Sequence, residues 1–356
     1  MADGGALDAQ QDGQELPPLV TFTSIKAAAE ALPVQFRNSP LIHWADGTWL
    51  KLESIQPTGS FKIRGAWTKL NRLSSERRAR GVIAYSSGNH GIAVAHAARL
   101  CGTAATVVVP RDAPGPKTGA IIMEGAALVP CAGGSEERRL LAESIAKESG
   151  QTLVPPYNDA DVIAGQGTIG VELLEQIPEL ASIVVPVGGG GLISGIAAAV
   201  KAVRPSIRVI GVEPELASDA RETLTTGSLV QWPAEEVSQT IADGVRTQSL
   251  GSLNFAHVIS LVDDIVTVTD EDILDAAVAL LRSRHLIAEP SGAISLAAVR
   301  NGAVPAAGTV VIVSGGNAGT EVLSQMVGRA DGIEKSLSAR AERDAPLRLA
   351  SRNSCS

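Results

Sequence analysis

Short runs rich in Val and Ile recur along this chain, each bounded by a turn and separated from the next by a helix-length segment. No other feature narrows the possible folds so far. Residues 81–85, 105–109, 127–130 and 152–154 read as strands, with helices over 92–100, around 117–125 and over 136–149 between them. The alternation resumes with a helix over 167–176, strand 182–187, helix 192–203 and strand 208–212. After a less regular stretch come strand 265–268, helices 270–284 and 291–300, and strand 309–313. Strands separated by helices form parallel sheets with right-handed crossovers, so the fold class is α/β, with open parallel sheets.

The chain's 356 residues exceed one ordinary domain and suggest two lobes sharing a cleft. Residues 81–156 form the smaller, mobile lobe, and 17–80 with 157–334 form the larger, cofactor-binding one; 1–16 and 335–356 read as flexible ends. A formal charge of −8, with no cluster of Lys and Arg, argues against a nucleic-acid partner. No apolar run is long enough for a bilayer, and residues 1–15 lack the pattern of a secretory signal, so the expected location is cytoplasmic. Cys101, Cys131 and Cys355 are too scattered for a metal site and fit free thiols in a reducing compartment.

Four segments carry chemistry. Strand 182–187 runs into Gly188-Gly189-Gly190-Gly191 and then, from Leu192, a helix, so backbone N–H groups can close on an anion at a helix N-terminus: a phosphate cradle. A dinucleotide fingerprint wants spaced glycines, and these are contiguous. Strand 309–313 ends at Ser314-Gly315-Gly316-Asn317, which sets a small hydroxyl at a strand's carboxyl end, where open α/β sheets bind ligands. Ser86-Ser87-Gly88-Asn89-His90-Gly91 forms a helix-entry turn suited to a carboxylate. Lys62, in Thr58-Gly59-Ser60-Phe61-Lys62, follows a tight polar turn and an aromatic residue, a placement in which an amine can act as a covalent catalyst on a carbonyl.

In this order and at these separations the four segments resemble the fold-type II pyridoxal-phosphate enzymes, most closely the serine racemase and serine/threonine dehydratase family, over about residues 22–319. The resemblance implies a tryptophan synthase β-like architecture and pyridoxal 5'-phosphate as cofactor. It implies that Lys62 carries the cofactor as a Schiff base, with Phe61 beside it, that Gly188–Leu192 hold its phosphate, and that Ser314 faces its pyridine nitrogen. It also places Asn89, Gly244 and Glu289 around the ring, and Ser86, Ser87, Asn89, His90 and Arg138 on the substrate side. A neutral hydroxyl at the ring nitrogen favours elimination at the β-carbon over transamination.

The expected reaction is the loss of water from a hydroxyamino acid to give a 2-keto acid and ammonia, with the freed Lys62 amine as base. Serine, threonine, 3-hydroxyaspartate and β-phenylserine all remain open as substrates. In family racemases the residue matching Ser87 faces the opposite side of the α-carbon, so amino-acid racemisation by Lys62 and Ser87 is the alternative. A β-replacement synthase and a cofactor-binding protein without turnover are further readings. The resemblance also implies a divalent cation, Mg²⁺, Ca²⁺ or Mn²⁺, at Glu213, the Ala217 carbonyl and Asp219, and a homodimer. His285 stands where nucleotide-activated relatives carry lysine, which argues against an ATP effector.

Overall fold

The Val/Ile runs assemble into two sheets, one of six strands and one of four, in a computed structural model that describes residues 16–332 except Ser87, Asp112, Pro114 and the side chain of Pro116. The chain begins with α1 (Phe22–Ala31), the strands β1 (Leu41–His43) and β2 (Thr48–Leu52), and helices α2 (Lys62–Asn71) and α3 (Ser75–Arg80). Then come β3 (Val82–Tyr85), α4 (Asn89–Cys101), β4 (Ala105–Pro110), α5 (Gly115–Met123), β5 (Ala127–Cys131), α6 (Ser135–Ser149) and β6 (Thr152–Leu153). The next elements are α7 (Ala160–Gln176), β7 (Ser182–Pro186), α8 (Gly191–Val203), β8 (Arg208–Pro214), α9 (Asp219–Thr226) and α10 (Ala234–Val237). Then follow α11 (Ser252–Leu261), β9 (Asp264–Val268), α12 (Asp270–Arg284), α13 (Pro290–Arg300) and β10 (Thr309–Val313), with a helical stretch over 320–332 after them.

The larger sheet runs β1-β2-β10-β7-β8-β9 and the smaller β5-β4-β3-β6; every pairing is parallel except β1 with β2. Alternate residues of a strand point to opposite faces, and both faces of the larger sheet are buried. Val184, Ile210, Val311 and Val313 pack against α12 and α13, while Ile183, Val185, Val209, Val310 and Ile312 pack against α7, α8 and α11. In the smaller sheet Val82, Ala84 and Val107 face α4, and Ile83 and Val108 face α6. The expected α/β class with open parallel sheets is what forms.

Three features differ from the sequence reading. Residues 41–52 form a hairpin that caps the larger sheet: Asp46 (φ 50°) and Gly47 (φ 79°) adopt the left-handed turn that favours an Asp-Gly pair, and β2 carries a lysine, Lys51, that is wholly buried. Helix α7 begins at Ala160, where the Asp159 carboxylate accepts from the N–H groups of Asp161 and Val162. Its glycines at 165, 167 and 170 hide a helix from propensity. Finally, the residues up to Leu73 join the larger sheet through β1 and β2, yet Ile63, Ala66, Leu70 and Leu73 share a core with α4 of the smaller unit. Helix α2 thus spans both. Cys101 and Cys131 are free and half-buried.

Candidate active site

Every motif singled out above lies where a parallel strand ends. Beyond β7 lies the Gly188–Gly191 turn, beyond β10 Ser314, beyond β3 Ser86 and Asn89, and beyond β2 the loop to Lys62. The turns open on one cavity of about 340 Å³ between the two sheets. Phe61, Lys62, Ser86, Asn89, His90, Arg138, Gly188, Gly189, Gly190, Gly191, Leu192, Gly244, Glu289 and Ser314 all line it. Ser87 lies outside the described residues. Glu213, Ala217 and Asp219 are not among the lining residues.

Lys62 is the first residue of α2, and its Nζ donates to the Pro156 carbonyl at 2.9 Å, 5.0 Å from the centre of the Phe61 ring. Burial pushes the ammonium down from 10.5 to about 8, with the Glu289 carboxylate opposing the shift. A lysine with its pKa held low folded and ordinary unfolded is charged more readily in the unfolded chain, so the cofactor-free protein gains stability as pH rises from about 8 to 10.5. Reductive methylation of the cofactor-free protein, followed by NMR titration, is expected to find one lysine titrating near pH 8; all lysines at 10 or above would contradict this.

The glycine turn is shaped by contact. Gly190 has φ +88°, open to glycine at little cost, and a Cβ on Gly189 would fall 2.3 Å from the Tyr157 ring. Helix α8 starts at Gly191, so its first N–H groups lack carbonyls a turn back. Among the described residues, no protein acceptor takes the N–H groups of Gly188, Gly189 or Gly190. An anion is the group that suits such a concavity.

In the same cavity, Ser314 Oγ donates to the Ser291 carbonyl at 3.3 Å, and Ser291 Oγ accepts from Gly244 N–H at 2.8 Å. Glu289 is buried; burial first, then the Asp243 charge, push its carboxyl up to about 7, against the pull of Asn89, Lys117 and Lys62. Asn89 donates through Nδ2 to Glu289 Oε1 at 2.5 Å and accepts through Oδ1 from Asn317 Nδ2 at 2.7 Å. Its amide is thereby fixed in orientation.

His90 is buried, with Nε2 2.8 Å from the Val154 carbonyl, so that nitrogen must carry the proton. Burial and the Lys62 charge push the ring down to about 3. It stays neutral, and among the described residues its buried Nδ1 acceptor has no partner. A ligand group meeting that nitrogen must be a donor, such as a hydroxyl, rather than a carboxylate. Arg138 donates to the Gly133 carbonyl at 3.3 Å and to Ser135 Oγ at 2.8 Å.

Sequence reasoning missed Tyr85, Tyr157 and Ser291. The chain has only two tyrosines, and both line the cavity. The signal for Tyr157 was its place just beyond β6, at the same sheet end as the other motifs.

Glu213, near the end of β8, and Asp219, the first residue of α9, are fully buried. Glu213 accepts from the N–H groups of Ala220 (3.1 Å) and Arg221 (2.8 Å), whereas neither Asp219 oxygen has a partner among the described residues. Burial, aided by Asp219, raises the Glu213 carboxyl; burial, then the Glu222 charge, raises Asp219 to about 7. Among the described residues no three His, Cys, Asp or Glu side chains cluster as metal ligands, so a cation here would need the Ala217 carbonyl and water. The orphaned carboxylate and all-oxygen donors fit a hard divalent ion.

Comparison with known proteins gives this geometry its family. Residues 34–316 match the family model of pyridoxal-phosphate dependent enzymes. The chain is similar to the L-threonine ammonia-lyase of Thermotoga maritima, 41% identical over 291 residues, 81% of this chain and 71% of that one. It is 38% identical over 287 residues, 80% of this chain and 87% of the other, to the L-threo-3-hydroxyaspartate ammonia-lyase of Saccharomyces cerevisiae. The structure of maize serine racemase superposes with a TM-score of 0.81 at 36% identity, covering 91% of this chain and 99% of that one. With Lys62 and a glycine cradle lining one cavity between two largely parallel sheets, and with the family model matched over residues 34–316, this chain belongs to the pyridoxal-phosphate dependent enzyme family.

Proposed function

We propose that the chain eliminates water from a hydroxyamino acid of the serine/threonine type, giving a 2-keto acid and ammonia. One arrangement carries the reading: a buried amine that loses its proton readily, Lys62, shares a cavity with an anion cradle and the neutral hydroxyl of Ser314. The two ammonia-lyase relatives support it. Within that cavity Lys62 would hold the cofactor's aldehyde, the N–H groups of Gly188–Leu192 its phosphate and Ser314 its ring nitrogen, with Phe61, Asn89, Gly244 and Glu289 around the ring. Bound pyridoxal phosphate draws electron density from the substrate's α-carbon, which acidifies the α-hydrogen and loosens the β-hydroxyl.

The protein's part is positioning and proton transfer. Lys62 Nζ takes the α-proton once the substrate is seated; its low pKa places it in the range of an effective base. Ser86, Asn89 and Arg138 bind the substrate carboxylate at the start of α4, and the His90 Nδ1 accepts from the hydroxyl. The uncharged Ser314 favours loss of the β-substituent.

Incubating the pure protein with L-threonine, L-serine, 3-hydroxyaspartate and β-phenylserine, and measuring both keto acid and enantiomer composition, tests the reading. Keto acid should accumulate; enantiomer exchange without keto acid would reject it. Racemisation by Lys62 and Ser87 is the second reading, favoured by the likeness to maize serine racemase. Ser87→Ala should then suppress racemisation more than elimination, and an equal fall in both would remove Ser87 from that role.

The reading extends to a cytoplasmic homodimer in which residues 81–156 move as a unit over the cavity. Among the described residues no helix is long and apolar enough to cross a membrane. A cation at Glu213, Ala217 and Asp219 braces the larger sheet, since binding to the folded state alone adds stability. Mg²⁺, Ca²⁺ or Mn²⁺ should raise the Tm by about 2–5 °C, and Asp219→Asn should abolish the response; an unchanged response in that variant would contradict the site.

A further inference from the structure

Helix α7 stands between the helix that begins with Lys62 and the helix that opens the glycine cradle, and it touches both through glycines. On the Lys62 side, a Cβ on Gly165 would lie 2.5 Å from the Arg64 carbonyl oxygen and 2.6 Å from Gly65 Cα. In return, a Cβ on Gly65 would meet Gln166 Nε2 at 2.4 Å. On the cradle side, a Cβ on Gly167 would lie 2.8 Å from the Gly195 carbonyl oxygen, and one on Gly195 would lie 2.4 Å from that of Ile163. None of these four glycines has a positive φ, so close helix approach, not backbone conformation, requires them.

A buried charge network locks the same contact. Arg64, two residues beyond Lys62, donates from Nε and Nη2 to the two oxygens of Glu53, each at 2.8 Å, and from Nη1 to Glu172 of α7 at 2.6 Å. Arg64 Nη1 also donates to Thr168 Oγ1 at 3.1 Å, and Lys51 Nζ to Glu172 at 2.6 Å. Glu53 follows β2 directly, so its fork-to-fork pair with Arg64 ties together the two ends of the loop that presents Lys62. Two cations and two carboxylates, all buried, hold that loop to α7.

We propose that α7 is a spacer that sets the separation between the Lys62 amine and the phosphate cradle, with Gly165, Arg64 and Glu172 as positioning residues. This rests on the reading of Lys62 and the cradle given above. A methyl group at Gly165 presses on the backbone of α2, and a shift of about 1 Å in a reacting group can lower a rate about a hundredfold. A methyl group at Gly195 presses instead on the backbone of α7 and displaces the cradle helix.

The two displacements have different signatures. Pyridoxine phosphate, which has no aldehyde, reports on the cradle; borohydride trapping of pyridoxal phosphate on Lys62 reports on the amine. Gly165→Ala should bind pyridoxine phosphate within about twofold of the native protein, while trapping rate and kcat fall about tenfold or more and KM stays within about threefold. Gly195→Ala should weaken pyridoxine phosphate about tenfold. Thr168→Val keeps the side-chain volume and removes both an Arg64 acceptor and the donor to the Gly165 carbonyl, while Arg64 Nη1 keeps Glu172, so it should fold, with a smaller fall in trapping and kcat. It decides the matter if Gly165→Ala does not fold. Native trapping and kcat in the folded variants, or parallel loss of both signatures in Gly165→Ala and Gly195→Ala, would overturn the spacer. A native label on another lysine would instead defeat the assignment of Lys62.

Discussion

Lys62→Ala is expected to lower kcat by at least about a thousandfold and to leave no borohydride-stable cofactor on the protein. Both effects follow from losing one amine that serves as covalent anchor and as base. The fold should survive, because among the described residues the amine makes a single hydrogen bond, to the Pro156 carbonyl, and burial already works against its charge. The cofactor-free variant should therefore melt no lower than the cofactor-free native protein. Turnover within about tenfold of native would remove Lys62 from the mechanism.

Gly189→Ala is expected to weaken cofactor binding by about tenfold to a hundredfold, which an overpacking cost of about 1–3 kcal/mol supports. The new methyl group would stand 2.3–2.4 Å from three ring atoms of Tyr157, so either that ring or the cradle must move. Because Tyr157 lines the same cavity, neither movement leaves the site intact. A second substitution, Tyr157→Ala, removes the obstruction and should restore part of the affinity in Gly189→Ala. Titration with pyridoxine phosphate measures both; unchanged affinity in the single variant would show that the turn does not hold the phosphate.

How much of this was legible in the sequence depended on whether a residue's partner was near in the chain. Strands such as Thr309–Val313 and Ser182–Pro186 are buried on both faces, so their composition alone marks them. The glycine cradle announces itself because four consecutive glycines between strand and helix have few other uses. Lys51 did not announce its strand, because a lysine looks polar in sequence, and beside the nearby Ser39 carbonyl its partners are Glu172 and Gln176, both over a hundred positions away. The glycines of α7 misled for the same reason: they weaken a helix locally and are required by neighbours at Arg64 and Gly195. For Tyr157 the sequence offered only its place beyond β6, because its significance lies in a ring that packs against Gly189. Roles for Glu289 and Gly244 came from resemblance, and the structure adds their bonds to Asn89 and Ser291.

Reduction of the fully loaded protein with borohydride, followed by peptide mapping, tests the account most directly. The pyridoxyl group should be found on the peptide containing Phe61-Lys62-Ile63, at one equivalent per chain. A label on Lys51, Lys117 or any other lysine, or no label despite full loading, would contradict it.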